Sequence, residues 1–450
     1  MTGDGERARL RRAAAAMLQA SLRAADPARL VRAHLRDRAV RAALARVPGR
    51  LVLAAIGKAS VAMARAAQAA LGSRLREGIV VAPAPAELPG LRLRVSSHPL
   101  PDARGLEAAR EVEALAASLG PRDLLLLLLS GGASALLPAP VVGLSLEDKV
   151  RTTELLLRAG ADIHELNAVR KHLSRLKGGG LARTAAPARV LALVLSDVVG
   201  DDLSTIASGP AVPDPTTYAD ALAVLDARAL REAVPAAVRA RLEAGARGER
   251  AETPKPGDRA FARVTTRLVG SNRRSVLAAA REARRRGFRP LVLTHRLEGE
   301  AREVARVLVA ILRACAETGV PARPPVALVA GGETTVRVLG DGEGGRNQEL
   351  VVAAAGPLAD FPVPAMVASL ATDGIDGRSD AAGGVADDRT LARAAALGLA
   401  PPAAFLAASD SRNFLGPLGD LIVTGPTGTN VTDVTVLLAG NAAGRRFPVE

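Results

Sequence analysis

The chain has 450 residues, of which 48% are hydrophobic and 24% charged, and its formal net charge is +14. This length predicts two or three domains with sizeable cores, and no apolar run reaches the ~18 residues that a membrane-spanning helix needs. A single cysteine, Cys315, excludes an internal disulfide, and because the N-terminus lacks the apolar segment of a signal peptide we expect a soluble, cytoplasmic protein.

The first predicted elements are helices over residues 7–46, which carry much of the positive charge. Residues 1–50 contain 12 arginines and four acidic residues. Proteins that bind single strands use aromatic platforms, but aromatic residues make up only 2% of this chain, and no nucleic-acid-binding motif is present. We therefore interpret these arginines as a solvated helix face and expect no nucleic-acid partner. A binding module for nucleic acid or an acidic partner stays open as an alternative class.

Short apolar strands alternate with helices from residue 51 onward. The clearest strands are LVLAAIG at 51–57, DLLLLLL at 123–129 and RVLALVL at 189–195. No hairpin signal separates them, and strands that alternate with helices form parallel sheets covered on both faces. This part of the chain therefore predicts a doubly wound parallel sheet.

A polar segment, ARGERAETPKPGD at 246–258, interrupts this alternation. Apolar strands resume beyond it, in PVALVAGG, PAMVASLATDG and DLIVTGPTGTN. We therefore predict an α/β protein with two domains, a Rossmann-like domain at 1–250 and a second α/β domain at 251–450.

The loops that follow the predicted strands repeat glycine, hydroxyl and carboxylate residues. Open α/β sheets bind ligands beyond the carboxyl ends of their strands, and glycine lets backbone N–H groups approach an anion closely. These loops therefore predict a phosphate cradle, although a tight strand-to-helix turn would use the same residues. The candidates for nucleotide binding are Ser130, Gly131, Gly132, Ser134, Gly331, Gly332, Glu333, Thr427 and Asn430.

Two basic residues are candidates for contacting phosphate or carboxylate. Lysine is scarce, with five against 55 arginines, and Lys58 directly follows a predicted buried strand and opens a helix. A cation at the positive end of a helix dipole needs an anion nearby. Arg346 begins a helix after the glycine-rich segment GDGEGG. Solvent-facing side chains are the alternative interpretation of both.

Acidic residues follow two of the predicted strands, at Asp197, Asp201 and Asp202 and at Asp373 and Asp376. Mg²⁺ needs few protein oxygens when phosphates supply the rest, so the two groups predict a shared Mg²⁺–nucleotide site in a cleft. Ordinary turns also favour aspartate, which leaves turn chemistry as the alternative. No Walker A motif is present, and no GxGxxG directly follows a predicted strand and opens a helix, so NAD binding has no support.

Eight segments, in this order, resemble the glycerate kinases with a C-terminal MOFRL domain, from about residue 10 to 440. They are GKASVAM, SSHPLPDARG, LLSGGASALLPAP, LNAVRKHLSRLKGGGLA, LSDVVGDDLSTIASGP, GGETTV, GGRNQEL and TGPTGTNVTDV. The resemblance implies ATP- and Mg²⁺-dependent phosphorylation of D-glycerate at O2, giving 2-phospho-D-glycerate. It also implies a MOFRL region at about 325–440, a site in the cleft between the two domains, small-molecule substrates and a monomer or homodimer.

The resemblance places the family's functional lysine, aspartate and arginine at Lys58, Asp197 and Arg346. The two cations would neutralise the transferring phosphoryl group or hold the glycerate carboxylate, and Asp197 would bind Mg²⁺ or take the proton from O2. Ala133 stands where a third glycine is frequent, and Gly384 where alanine is common. Some members were once labelled hydroxypyruvate reductases. An NAD(P)H-dependent reductase is therefore the alternative activity, although the dinucleotide fingerprint is absent.

Overall fold

The computed structural model describes residues 3–441, with the side chain of Arg76 excepted. The chain forms two compact units, one from Pro27 to Val269 and one that combines Met1–Asp26 with Gly270–Glu450. The outer ends of the two predicted domains, residues 1–2 and 442–450, lie outside the described residues. Within 3–441, no helix is long and apolar enough to cross a membrane.

The helices and strands alternate along most of the chain. The helices are α1 (Gly3–Ala24), α2 (Pro27–Arg36), α3 (Arg38–Ala45), α4 (Ser60–Leu71), α5 (Ala103–Ala117), α6 (Ala133–Leu136), α7 (Leu146–Arg158), α8 (Ile163–His172), α9 (Gly180–Ala185), α10 (Tyr218–Ala227), α11 (Ala236–Ala246), α12 (Asn272–Arg285), α13 (Ala301–Thr318), α14 (Arg346–Leu358), α15 (Thr390–Ala396), α16 (Pro402–Ala407) and α17 (Ser411–Leu415). The strands are β1 (Leu51–Ile56), β2 (Leu75–Ala82), β3 (Arg92–Val95), β4 (Leu124–Leu129), β5 (Arg189–Leu195), β6 (Val264–Gly270), β7 (Arg289–Leu297), β8 (Val326–Gly332), β9 (Ala365–Ala371), β10 (Gly383–Asp387), β11 (Leu421–Ile422) and β12 (Asp433–Ala439).

The first sheet has the spatial order β3-β2-β1-β4-β5-β6, and strands β1 to β5 are parallel. The six leucines of β4 are all buried, because a parallel sheet is covered on its faces. One face packs against α5 through Ala108, Val112 and Leu115. The strand order reverses between β1 and β4, which is where sheets of this kind bind ligands. The prediction of a Rossmann-like parallel sheet is confirmed.

A separate apolar cluster joins α7, α8, α10 and α11 around the buried ring of Tyr218. Helix α8 begins at a capping box, in which the Asp162 carboxylate accepts hydrogen bonds from two backbone N–H groups and the Glu165 carboxylate accepts one from the backbone N–H of Asp162. This cap fixes the start of a helix whose last turn carries Arg170, Lys171 and His172.

The second sheet has the order β11-β10-β9-β12-β8-β7 and is mixed. Strands β7 and β8 are parallel, whereas the other pairs, β8–β12, β12–β9, β9–β10 and β10–β11, are antiparallel. Helices α13 and α14 pack on one face around Leu328, Val367 and Leu437. The prediction of a second α/β domain is confirmed.

Helix α1 packs with the second sheet, whereas the sequence analysis placed it in the first domain. Its apolar stripe, which includes Leu10 and Met17, shares a buried cluster with Val276 of α12 and Leu438 of β12. Amphipathic spacing shows which face of a helix is buried but not what covers it. The compact units also divide between Val269 and Gly270, later in the chain than the expected boundary at about residue 250.

Two arginines of α1 form ion pairs with acidic residues far along the chain, so this face is not simply solvated. Arg7 pairs with Asp388 at 2.6 Å, and Arg11 pairs with Asp387 at 2.6 Å and with Asp420 at 2.9 Å. Part of the positive charge near the N-terminus is therefore balanced within the same compact unit.

Candidate active site

The loops after β1 and β4 meet at the point where the order of the first sheet reverses. The backbone N–H of Lys58 donates to the Gly131 carbonyl over 2.8 Å, and the N–H of Ala59 donates to the Ser130 hydroxyl over 3.0 Å. Ser130 is 1% exposed. Its hydroxyl therefore ties the two loops together, which favours a positioning role over the predicted contact with a nucleotide.

Three side chains lie close to two glycines of the β4 loop. A Cβ on Gly131 would lie 2.1 Å from Asp197 Oδ2. A Cβ on Gly132, whose φ is +80°, would lie 2.8 Å from His98 Cδ2 and 3.3 Å from Lys58 Cγ. Lys58, Asp197 and His98 therefore lie against one dipeptide, and only glycine leaves room for them.

Asp202 uses its carboxylate within its own turn. It accepts hydrogen bonds from the backbone N–H and hydroxyl of Ser204 at 2.9 and 2.8 Å, and from the Thr205 hydroxyl at 2.8 Å. Burial opposes these bonds, but they hold the pKa of Asp202 below its usual value. Asp201 precedes it with φ +61°. These bonds favour the alternative interpretation of Asp202, in which the aspartate stabilises its own turn. The predicted metal role of Asp201 stays a prediction.

A cavity of about 360 Å³ borders Gly132 and Ser134 in the same unit. Lys149 of α7, Arg170 of α8 and Lys177 line it. We call the part formed by these three cations and Ser134 the cation pocket. None of the three cations is among the site residues predicted from the sequence, although the scarcity of lysine was a signal for Lys149 and Lys177.

Each cation of the cation pocket donates to neutral oxygens. Lys177 Nζ donates to the Ser134 hydroxyl at 2.6 Å and to its carbonyl at 2.8 Å, and Arg170 also donates to the Ser134 hydroxyl. Lys149 Nζ donates to the Leu173 carbonyl at 3.1 Å. Among the described residues, no ion pair joins any of the three to a carboxylate, although Glu154 also lines the cavity.

Burial is the largest cause of lowered pKa values in the cation pocket, and neighbouring positive charges add to it for the two lysines. Burial, followed by the charges of Arg170 and Arg175, lowers the pKa of Lys149 to about 7. Burial, followed by the charges of Arg170 and Lys149, lowers the pKa of Lys177 well below its usual value. Burial lowers the pKa of Arg170 to about 10. The electrostatics of the cavity therefore favour an anion.

A second group of predicted residues surrounds Arg346 in the other compact unit. Its guanidinium contacts Asp433 Oδ1 at 2.9 Å and Glu333 Oε1 at 3.1 Å. Asp433 lies opposite Gly332 in the β8–β12 pairing. Burial raises the pKa of Asp433 to about 7, although its bonds with Arg346 act in the opposite direction. A cavity of about 440 Å³ borders Arg346, Glu333 and Arg378.

Asp376 fixes the start of α14. It is 1% exposed, and its two oxygens accept hydrogen bonds from the backbone N–H and side-chain amide groups of both Asn347 and Gln348, at 2.9 to 3.2 Å. A carboxylate offers about four lone-pair sites, so these four donors fill them. This arrangement favours a role in positioning Arg346, the first residue of the helix, over the predicted role as a metal ligand.

The remaining predicted residues of this unit lie at the end of β8 and in the loops near it. A Cβ on Gly331 would lie 2.0 Å from Asn272 Oδ1, so this glycine serves close packing. The backbone N–H of Thr427 donates to the Asp373 carbonyl at 3.1 Å, and Asn430 Oδ1 accepts from the N–H of Thr432 at 3.0 Å. No group of three or more His, Cys, Asp or Glu side chains that could hold a metal occurs in the described part of the chain.

Comparison with known proteins gives two family matches. Residues 13–243 match the family described as Domain of unknown function (DUF4147), and residues 326–433 match the MOFRL family. The chain is 41% identical over 404 residues to the D-glycerate 2-kinase of Thermotoga maritima, covering 89% of this chain and 93% of that one. It is also 43% identical over 396 residues to a putative hydroxypyruvate reductase of Agrobacterium vitis, covering 87% and 88%. The crystal structure of a Thermotoga maritima glycerate kinase aligns with a TM-score of 0.84 and 38% identity, over 96% of this chain and 99% of that one.

Proposed function

Because the chain belongs to the glycerate kinases that join a DUF4147 region to a MOFRL region, we propose that it phosphorylates D-glycerate at O2 with ATP. The products are 2-phospho-D-glycerate and ADP. The observation that carries this proposal is the convergence of Lys58 and Asp197 on the Gly131–Gly132 dipeptide, at the ligand-binding edge of the first sheet.

The chemistry follows from the charges at this edge. The bond between O2 and the γ-phosphorus forms as the bond from that phosphorus to the bridging oxygen breaks, and ADP leaves. Asp197 takes the proton of the 2-hydroxyl, and Lys58 stabilises the negative charge on the transferring group. Lys58 suits this role because its side chain is exposed while its backbone is held by Gly131.

The acidic residues fit a Mg²⁺ ion that is held mostly by phosphate. Asp202 and Asp376 accept hydrogen bonds at both carboxylate oxygens. Asp197, Asp201 and Asp373 are the other predicted ligands. Phosphate oxygens and water supply most of the coordination of Mg²⁺ in such sites. When bound, Mg²⁺ would neutralise phosphate charge.

Arg346 supplies a second positive charge in this proposal. Asp433 and Glu333 hold its guanidinium from two sides, and a guanidinium on the transferring phosphoryl group is worth roughly 10³–10⁵ in rate. The cleft between the domains, which the sequence analysis expected as the site, stays a prediction. The proposal requires that Lys58 and Arg346 serve the same turnover.

An assay with two arms separates kinase from reductase activity. In one arm, the protein with Mg²⁺, ATP and D-glycerate should release ADP only when glycerate is present. In the other, hydroxypyruvate and NADH or NADPH should show no loss of reduced cofactor. The name of the Agrobacterium vitis relative motivates the second arm. Glycerate-independent ADP release, or oxidation of the cofactor, would overturn the proposal.

A further inference from the structure

The cation pocket has a composition that the proposed roles of Lys58, Asp197 and Arg346 do not explain. Lys149 and Lys177 are 7% and 4% exposed, and both line the cavity together with Arg170. These side chains come from α7, α8 and the segment before α9, so three separate parts of the chain contribute one charge each. The pocket is continuous with the Gly132 loop, where Lys58 and His98 lie.

Buried cations are costly unless a counter-charge is present. Removing an ammonium group from water costs several kcal/mol, and a neutral carbonyl repays only part of it. Apolar side chains of similar size would pack these segments together at lower cost. The lysine–carbonyl bonds in this pocket therefore explain how the cations are held, but they do not explain why cations are there.

We propose that the cation pocket binds the polyphosphate chain of the nucleotide, an assignment that rests on the proposed kinase function. A carboxylate brings one negative charge, whereas a polyphosphate brings several and can balance three cations at once. The Ser134 hydroxyl accepts hydrogen bonds from both Lys177 and Arg170. If the Ser134 side chain rotates away, the N–H groups of both cations can donate to phosphate oxygens instead. The volume of about 360 Å³ falls in the range of roughly 300–1,000 Å³ typical of ligand pockets.

Binding of a polyanion should change the protonation of the pocket. The charged groups that face Lys149 and Lys177 are His98, Glu154, Arg170 and Arg175. Without an anion Lys149 is largely neutral at pH 8, because its pKa is about 7. A bound polyphosphate favours the charged form, so the protein takes up protons and its affinity falls as pH rises above 7.

The variants Lys177→Met and Arg170→Met test directly whether these two side chains bind the polyphosphate chain. Isothermal titration with ADP and with inorganic tripolyphosphate, both without metal, should show affinity lower by roughly ten- to hundred-fold, the usual effect of losing a hydrogen bond to a charged group. The control Arg158→Met removes the same charge from the exposed end of α7 and should leave both affinities within about two-fold.

Steady-state kinetics distinguish the two anions of the reaction. For a folded variant we expect a raised KM for ATP and an unchanged KM for D-glycerate. A raised KM for D-glycerate with an unchanged KM for ATP, together with normal binding of ADP and tripolyphosphate, would overturn the inference. That result would assign the pocket to the glycerate carboxylate. In that case the wild-type protein would still phosphorylate glycerate, so the proposed function would stand. A wild-type protein without kinase activity would instead refute the proposed function.

If the variants do not fold, a measurement on the wild-type protein tests the inference instead. Titration of ADP at pH 8 in two buffers of different ionisation enthalpy gives the number of protons exchanged. Net proton uptake supports the inference, since ADP itself is fully ionised at that pH. Binding without uptake, or with proton release, contradicts it.

Discussion

Lys58 and the lysines of the cation pocket differ in ways that suit different tasks. Lys58 is exposed, so its side chain is accessible to a substrate. Lys149 and Lys177 are buried, and burial together with the charge of Arg170 lowers the pKa of both. An exposed lysine such as Lys58 can move with the phosphoryl group during transfer. The buried lysines of the cation pocket are better suited to hold an anion in one position. Scarcity of lysine pointed to Lys58 from sequence. It could not show the pocket, because the sequence pattern does not reveal that α7, α8 and the segment before α9 meet at one cavity.

Lys58→Ala should lower turnover by roughly 10³-fold, because it removes the charge that stabilises the transferring phosphoryl group. Since the side chain is exposed, the free energy of unfolding should change by less than about 0.5 kcal/mol. The control Arg65→Ala removes an exposed charge from α4, the helix that follows Lys58. Normal turnover in Lys58→Ala would remove this residue from the mechanism.

Gly131→Ala should lower turnover about as much as Asp197→Asn. The new Cβ would overlap Asp197 Oδ2 and push the carboxylate away from its position, which disables proton transfer without removing the group. Turnover and thermal unfolding of both variants would be compared with Gly120→Ala, where a Cβ meets nothing closer than 3.9 Å. A fully active Gly131→Ala enzyme would show that the position of Asp197 is unimportant.

Arg346→Lys should lower turnover by more than about ten-fold, although the charge is kept. An ammonium cannot reproduce the fork with which the guanidinium contacts Asp433 and Glu333 together. The matched control is Arg337→Lys, at an exposed position outside the Arg346 cavity. Equal activity of the two variants would mean that charge alone matters at residue 346, and that the fork has no role in turnover.

At the scale of secondary structure, the loops that follow strands were predicted best. Their apolar strands β1, β4 and β5 are long enough to recognise, and parallel strands direct their carboxyl ends to one edge. The antiparallel pairing of β9, β10 and β12 gave no sequence signal. Strand β12 is buried on both faces and therefore lacks the alternation that usually marks antiparallel strands. Asp376 was assigned to a metal because it follows Asp373 after a predicted strand, whereas its bonds to the start of α14, 29 residues earlier, gave no sequence signal.

Asp376→Asn should lower the free energy of unfolding by about 1–3 kcal/mol. The substitution replaces one carboxylate oxygen, a hydrogen-bond acceptor, with an amide NH₂ group, which would then face the N–H donors of Asn347 or Gln348. Urea unfolding would measure this loss, and Asp373→Asn provides the comparison at a less buried aspartate. The Mg²⁺ dependence of turnover would be measured on both. An unchanged stability together with a weakened response to Mg²⁺ in Asp376→Asn would restore the metal role.

At the scale of the whole molecule, the two compact units follow the two family matches. The unit Pro27–Val269 contains most of the DUF4147 match, and the MOFRL match lies wholly in the other. Helix α1 is the exception, because its stripe and its arginines Arg7 and Arg11 engage the second unit. Sequence patterns identified both α/β units, but the partner of α1 depends on contacts across most of the chain length, which local periodicity does not encode.

The position of the new phosphate tests the central claim most directly. The product of the reaction with ATP and D-glycerate would be treated with enolase alone, which accepts the 2-phosphate. Phosphoenolpyruvate should form at once with the wild-type protein, and its rate should collapse with Asp197→Asn. Formation of phosphoenolpyruvate only after a phosphoglycerate mutase is added would place the phosphate on O3 and contradict the account.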